Sequence, residues 1–206
     1  METEQLKIFD NKGNEIGAAT RSDVHRLGYW HEVFHCWFVG KEEDTNYIYL
    51  QLRSANKKDY PNLYDITAAG HLLADETVED GVREIDEELG ISVSFQELTP
   101  LGVIHYCTTK ENFIDKEIAN VYLLKTNKKM EDFTLQKEEV AGIVKVKFTD
   151  FEALWIGEKD KIDISGFAIN DIGEKKFVED RAGRDKFVPH QADFYQTVIG
   201  KIKVHL

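Results

Sequence analysis

The stretch Arg83-Glu84-Ile85-Asp86-Glu87-Glu88-Leu89-Gly90-Ile91 decides how this chain is read. Residues three and four apart are neighbours on an α-helix, so Glu84, Glu87 and Glu88 share one face and Asp80 extends the row. Val78, Val82, Ile85 and Leu89 recur at helical spacing on the opposite face, the pattern of a side that packs into a core. Gly90 stops the helix. Like charges at this spacing cost an exposed helix about 0.2–0.5 kcal/mol per pair. A divalent cation among hard oxygen ligands turns that repulsion into attraction, and Mg²⁺ suits such carboxylates. A solvated acidic face is the commoner fate of a Glu-rich helix; the flanking residues tip the balance against it.

Upstream lies Asp65-Ile66-Thr67-Ala68-Ala69-Gly70-His71-Leu72-Leu73-Ala74-Asp75-Glu76-Thr77. Thr77 is placed to cap the helix, with Glu79 and Asp80 in the first turn, where the helix dipole favours acids. Ala68, Ala69 and Gly70 are small enough for backbone carbonyls to approach an ion or a phosphate. Small-residue loop, helix, acidic face and glycine stop together resemble the Nudix box, Gly-x5-Glu-x7-Arg-Glu-U-x-Glu-Glu-x-Gly-U, with U aliphatic. From Arg83 to Ile91 every fixed position matches. The first half departs from the pattern. Counting back from Arg83 puts Asp75 and Ala69 at the Glu and Gly positions; using Glu76 and Gly70 leaves the junction one residue short. The second alignment is preferred, because Ala-Gly-His-Leu-x-Ala-x-Glu-Thr reads like the junction of one Nudix branch.

The resemblance implies a fold of the α/β (α+β) class: a Nudix-type α/β/α sandwich with a mixed β-sheet between helices. It implies metal-dependent hydrolysis of the diphosphate linkage in a nucleoside diphosphate joined to another moiety, with Mg²⁺ (or Mn²⁺) as cofactor. Glu84 and Glu88 are the first expected metal ligands, Glu87 the third, and the carbonyl of Ala69 or Gly70 completes the shell. Arg83 is expected to pair with Glu76, a bidentate contact that suits a guanidinium. The base that activates water is Glu87, Glu84 or a later acid. Of the pair Glu138-Glu139, at a place where Nudix proteins often carry an extra acid, Glu139 is the better choice.

The flanks narrow the resemblance. Asp10, Gly13, Gly17, Arg21, His25, Gly28 and His31, with Leu50-Gln51-Leu52-Arg53-Ser54-Ala55-Asn56-Lys57-Lys58, resemble Nudix proteins related to type I isopentenyl-diphosphate isomerase. In that isomerase a cysteine precedes the Gly-His pair; here Ala69 precedes Gly70-His71, and alanine cannot transfer a proton. The isomerase also lacks the full Arg-Glu-U-x-Glu-Glu run. Both departures point to a hydrolase. His25, His31, His71, Asp115 and Glu117 fall where the isomerase's metal ligands would be, which implies a second or vestigial metal site. His35 is expected to pack near Trp30 and Trp37. Arg53 and Lys57 lead the candidates for substrate phosphates, beside Arg21 and Lys58. Trp30, Tyr47, Tyr64 and Tyr106 are candidates to stack on a base.

Length and composition set the frame. The 206 residues suffice for one domain with a sizeable core. They divide into an N-terminal hairpin extension over about 1–30, the box at 69–91, and a C-terminal loop and helix over about 157–206. The net charge of −12 disfavours nucleic acid and anionic membrane but permits a small diphosphate held by metal and a few basic residues. A homodimer is compatible with these features. The charged N-terminus lacks the apolar stretch of a signal peptide, and the expectation is a cytoplasmic protein. Cys36 and Cys107 have no metal-like spacing and are expected to be buried free thiols. Strands are expected at Leu6–Asp10, Glu15–Ala19, Glu32–Val39, Tyr47–Leu52, Leu101–Thr108, Glu117–Lys125 and Ile143–Phe148. Short helices are expected at Ser22–Leu27 and Asp150–Ile156, and a terminal helix at His190–Val204. Glu158–Asp185 reads as a loop or lid.

We expect no useful interconversion of isopentenyl and dimethylallyl diphosphate. That reaction needs an acid and a base on opposite sides of the carbon skeleton, and Ala69 stands where one of them belongs. Proton exchange from solvent into isopentenyl diphosphate, followed by NMR with metal present, is the measurement; rapid exchange by the unmodified protein would reverse the hydrolase reading.

Overall fold

The computed structural model describes residues 3–111, 113–170 and 172–206; the charged start at Met1 and Glu2 lies outside them. The strands β1 (Gln5–Phe9) and β2 (Glu15–Thr20) form the expected hairpin, followed by helix α1 (Arg21–Leu27). Thr20 caps α1: its hydroxyl accepts from the Asp23 amide, and Gly28 ends the helix at φ +71°. Then come β3 (Trp30–Glu42), β4 (Thr45–Arg53), β5 (Tyr64–Asp65), β6 (Ala68–His71) and helix α2 (Arg83–Leu89). The second half holds β7 (Thr99–Lys110), β8 (Phe113–Thr126), β9 (Val140–Lys147), α3 (Phe148–Ile156), β10 (Ile162–Ile169), β11 (Lys175–Ala182) and α4 (Ala192–Lys203).

These strands make one mixed sheet centred on β3. β3 runs parallel to β8 along its length, and on its other edge it changes partner: Val33–Cys36 pair with β6 and Phe38–Glu42 with β4. Thr67 fills the gap between the two partners. Its buried hydroxyl accepts from the Phe38 amide at 3.0 Å and donates to the Tyr49 carbonyl. Side chains alternate across a strand, so Phe34, Cys36 and Phe38 face α2 with Ile85 and Leu89. Val33, Trp37 and Val39 face α3 and α4 with Phe151, Leu154, Phe194 and Val198. Helices thus cover both faces of the sheet, the α/β/α sandwich expected.

The same alternation builds the site. Val33 and Trp37 are core, and His31 and His35 lie on their face nearer the start of β3. The parallel register sets Glu117 of β8 opposite His31. One face of the sheet therefore passes from apolar to titratable at one end.

Three readings of the sequence are corrected. Glu158–Asp185 contains the β10–β11 hairpin, which extends the sheet through β9. Its outer strand is almost wholly exposed and so carries no apolar alternation to read. The helix expected from Thr77 starts as a 3₁₀ segment, Val78–Val82, and becomes α only at Arg83. A 3₁₀ segment rises about 2.0 Å per residue against about 1.5 Å, so it spans more length with fewer residues and offsets the residue missing from the junction. Cys36 is buried, but Cys107 is only half-buried. Among the described residues no helix is long and apolar enough to cross a membrane.

Gly166 of β10 lies against β9 so closely that a Cβ there would overlap the Ile143 carbonyl, a backbone atom that cannot step aside. We expect Gly166→Ala to cost about 1–3 kcal/mol, as overpacking does. In a chain of this size that lowers Tm by roughly 2–12 °C, measurable by calorimetry; an unchanged Tm would show that the hairpin is not held as described.

Candidate active site

Strand β6 divides two clusters of chemically competent side chains that share one cavity of about 330 Å³. On one side stands the acidic row of α2. Glu84 and Glu88, one turn apart, face the cavity, whereas Glu87 is half-exposed. Asp80 does not extend the row: its carboxylate turns back to accept from the Thr77 amide at 2.8 Å. Glu88 is 4 % exposed, so this is a buried carboxylate and not part of a solvated face. The Ala69 amide donates to Glu88 Oε2 at 3.1 Å and Gln51 Nε2 donates at 3.3 Å. Gly70 lies so near Glu84 that a Cβ there would overlap the carboxyl group.

Arg83 ties this side together. Its Nε and Nη2 grip Glu76 at 2.5 and 3.0 Å, Nη1 reaches Glu84 at 2.6 Å and Glu87 at 3.2 Å, and Nη2 also donates to the His71 carbonyl at 3.1 Å. Even so, burial and the neighbouring acids prevail over it. Burial, with Glu87 and Glu76 adding, pushes the Glu84 carboxyl up to about 7. Burial, with Glu84 adding, pushes Glu88 up to about 8.

On the other side of β6 the rings of His25, His31 and His71 lie 5.0–5.3 Å apart, centroid to centroid. Their donor atoms converge within 4.8 Å of one another, and those of His31, Asp115 and Glu117 do the same. His25 Nδ1 donates to the Arg21 carbonyl at 2.8 Å and His31 Nδ1 to the Tyr29 carbonyl at 3.2 Å, which turns each Nε2 toward Asp115 Oδ1, at 3.4 and 3.5 Å. Burial opposes the charge on His25, but Asp115 outweighs it and raises that ring above its ordinary value. Burial holds His31 down to about 4 and His71 well below its ordinary value. Both rings are therefore neutral at physiological pH. His31 Nε2, His71 Nε2 and Asp115 Oδ1 are buried without a hydrogen-bond partner among the described residues. Orphaned imidazole nitrogens around an orphaned carboxylate oxygen fit a metal ion, and their back-side hydrogen bonds are those that orient metal-ligating histidines.

The remaining expectations fall out as follows. Arg21, Lys57 and Glu139 line the cavity, and Lys57 and Glu139 form an ion pair. Arg53 also lines it, but three of its donors are spent on its own loop: on the carbonyls of Asp59 and Tyr60 and on Asp65. Glu138, Lys58, Trp30, Tyr47 and Tyr64 are not among the lining residues, whereas Tyr106 is, and its hydroxyl donates to Glu117. Cys107 alternates with Tyr106 along β7 and so faces away from the cavity. His35, expected beside Trp30 and Trp37, packs its ring against Tyr106 and Phe194 and lines the cavity with Nε2 3.4 Å from Glu117.

Sequence reasoning missed Asp65 and His190. His190 Nε2 lies 3.0 Å from Asp65, which also accepts from Arg53 and from the Ile66 amide. Burial pushes the Asp65 carboxyl up, but His190 and Arg53 outweigh it and hold it below the carboxylate range. The two residues are 125 positions apart; the Pro189-His190 pair before the last helix is the one local signal.

The fold, the acidic helix after a small-residue strand and the family of the chain's relatives together place it among the hydrolases of phosphorus-containing acid anhydrides. The family model for the NUDIX domain matches residues 15–166, and the chain belongs to the Nudix family. It is 37 % identical to an uncharacterised Nudix hydrolase of Clostridium acetobutylicum over 204 residues, 97 % of each chain. It is 25 % identical to an isopentenyl-diphosphate Delta-isomerase of Photorhabdus laumondii over 83 % of this chain and 96 % of that one. Among solved structures it resembles DR0079 of Deinococcus radiodurans, with a TM-score of 0.57 at 19 % identity over 76 % of this chain and 91 % of that one. Nudix hydrolases generally use divalent metal ions.

The raised carboxyls give a test with a definite sign. Glu84 and Glu88 bind protons more tightly in the folded protein than their ordinary value of 4.5. Rising pH therefore removes stability as they ionise. His31 and His71, shifted the other way, stop contributing above about pH 6.5, where they are neutral in both states. We expect the Tm of protein in chelator to fall between about pH 6.5 and 8.5, and added Mg²⁺ to raise it more at the upper end than at the lower. A flat profile in calorimetry would show that these carboxyls are not buried together.

Proposed function

We propose that this protein hydrolyses the diphosphate linkage of a nucleoside diphosphate joined to another moiety, with Mg²⁺ or Mn²⁺ held by Glu84, Glu87 and Glu88 and the backbone at Gly70. The observation that carries the reading is the buried pair Glu84 and Glu88. Two carboxyls raised toward neutral pH in one cavity, against a glycine that leaves room beside them, form a site that a divalent cation converts from repulsive to attractive. The ion neutralises charge on the diphosphate and lowers the pKa of the attacking water.

The chain's own residues do the rest. The Ala69 amide and Gln51 hold the Glu88 carboxylate, and Arg83 holds Glu84. Lys57 and Arg21 bring positive charge to the cavity wall for the phosphates. Glu139 is our choice of base over Glu84 and Glu87: it enters from the turn before β9 and is free of the box's own network around Arg83. It takes the proton as a water oxygen bonds to phosphorus and the bridging oxygen leaves with the electron pair. His25, His31, His71, Asp115 and Glu117 form a second ion site. Their imidazole and carboxylate donors suit a transition metal such as Mn²⁺.

The test is a screen with Mg²⁺ over nucleoside diphosphates linked to sugars, nucleosides and alcohols, with isopentenyl diphosphate included, that follows the phosphomonoester products by chromatography. Turnover that survives excess chelator, or no turnover of any member, would defeat the proposal. Within that screen we expect Glu88→Gln to lower kcat by more than about 100-fold, beyond what the outer partners of a metal typically cost. Its Tm in chelator should hold, because a neutral amide replaces a carboxyl that burial already keeps largely protonated near neutral pH. Wild-type turnover by this variant would remove Glu88 from the ligand set.

A further inference from the structure

Tyr60 stands in a backbone conformation that side chains rarely adopt, with φ +51°, and Asn62 follows at φ +59°. A bulky residue stays in the left-handed region only where its surroundings over-determine it, and such outliers gather at binding sites. The surroundings are visible. Arg53 donates to the Asp59 carbonyl at 2.8 Å and to the Tyr60 carbonyl at 3.1 Å, and is itself anchored to Asp65 at 2.9 Å. The Lys110 ammonium lies 3.2 Å from the centroid of the Tyr60 ring. Backbone and ring are thus both fixed.

The side chain held in this way lines the cavity, yet its hydroxyl is shielded from solvent with no hydrogen-bond partner among the described residues. A buried donor without an acceptor is costly, and native proteins seldom keep one without a use. Asp115 on the same cavity wall turns its Oδ1 to His25 and His31, at 3.4 and 3.5 Å, and does not accept from the Tyr60 hydroxyl. At neutral pH a phenol is a donor, so the missing partner is an acceptor that enters from outside. Lys57, on the same connection between β4 and β5, lines the cavity with its ammonium paired to Glu139, so the hydroxyl is a donor on this wall that no carboxylate has claimed.

Resting on the diphosphate reading above, we propose that Tyr60 contacts substrate directly, its hydroxyl donating a hydrogen bond to a phosphate oxygen of the bound diphosphate. A neutral donor suits this wall, because it adds attraction for phosphate without drawing the cavity's carboxylates into ion pairs.

Tyr60→Phe removes the hydroxyl alone. The experiment is calorimetric titration of inorganic pyrophosphate, at saturating Mg²⁺, into wild-type protein and Tyr60→Phe, with Tm measured on both without ligand. We expect pyrophosphate to bind the variant about tenfold more weakly, the loss of one hydrogen bond to a charged acceptor. Tm should be unchanged or higher, because the variant no longer buries an unpaired hydroxyl. Equal binding by the two proteins would overturn the inference alone. A Tm lowered by several degrees would overturn it too, by showing a structural partner for the hydroxyl. Wild-type protein that binds no pyrophosphate would overturn the diphosphate reading and this inference with it.

Discussion

The grip of Arg83 on Glu76 is the interaction on which the site depends. Glu76 ends the loop that follows β6 and Arg83 opens α2, so a single guanidinium fixes the angle at which the acidic helix meets the strand. The same group reaches Glu84, Glu87 and the His71 carbonyl. Glu76 gains from burial in this pair what a surface ion pair, worth about 0–1 kcal/mol, would not supply. Its carboxyl is held down by Arg83 although burial pushes it up, while Glu84, which also contacts Arg83, is pushed up. One cation has been divided among several acids, and it is spent mainly on the structural one. The acids facing the cavity are left short of positive charge, which is the condition for taking up a cation from solution.

Strand β6 organises the rest with four residues. The Ala69 amide orients Glu88, the bare Cα of Gly70 makes room for Glu84, and His71 joins the imidazoles on the far side. Each of these needs β6 to lie on β3 in one register, which pairs Val33 with His71 and His35 with Ala69. A slip of one residue would turn His71 away from His31 and aim the wrong amide at Glu88. The Thr67 hydroxyl, placed where β3 exchanges β6 for β4, fixes that register from outside the cavity. Position on the sheet and identity of the residue are therefore inseparable here.

A net charge of −12 looks ill-suited to a polyanionic substrate, and the cavity shows how the two are reconciled. Its acids are not spread evenly but gathered into the α2 row and the Asp115–Glu117 edge, where donor atoms of Asp115, Glu117 and His31 converge within 4.8 Å. Fixed positive charge on the cavity wall comes from a few side chains, Arg21 and Lys57 among them. The electrostatics of the cavity are a property of local arrangement, on which overall charge has little bearing.

The sequence by itself determined whatever is encoded within a turn or two of helix or one strand. The run Arg83–Ile91 announced its acidic face and its glycine stop, the apolar-rich runs Glu32–Val39 and Glu117–Lys125 announced strands, and the box with its flanks was enough to imply the sandwich. Such signals survive because their period is local. What the sequence left unread depends on partners far apart in the chain or on strands with no buried face. Asp65 and His190 meet only because Val188 hydrogen-bonds to Tyr64 and brings the terminal segment back to β5. β11 carries no alternation because neither of its faces is covered. Even within the box, spacing placed Glu84, Glu87, Glu88 and Asp80 in one row, whereas packing chose among them. Glu84 and Glu88 were turned into the cavity, Glu87 was left at its edge, and Asp80 was folded back onto Thr77. Which carboxylates are desolvated is set by what lies across from them, and that is a property of tertiary structure alone.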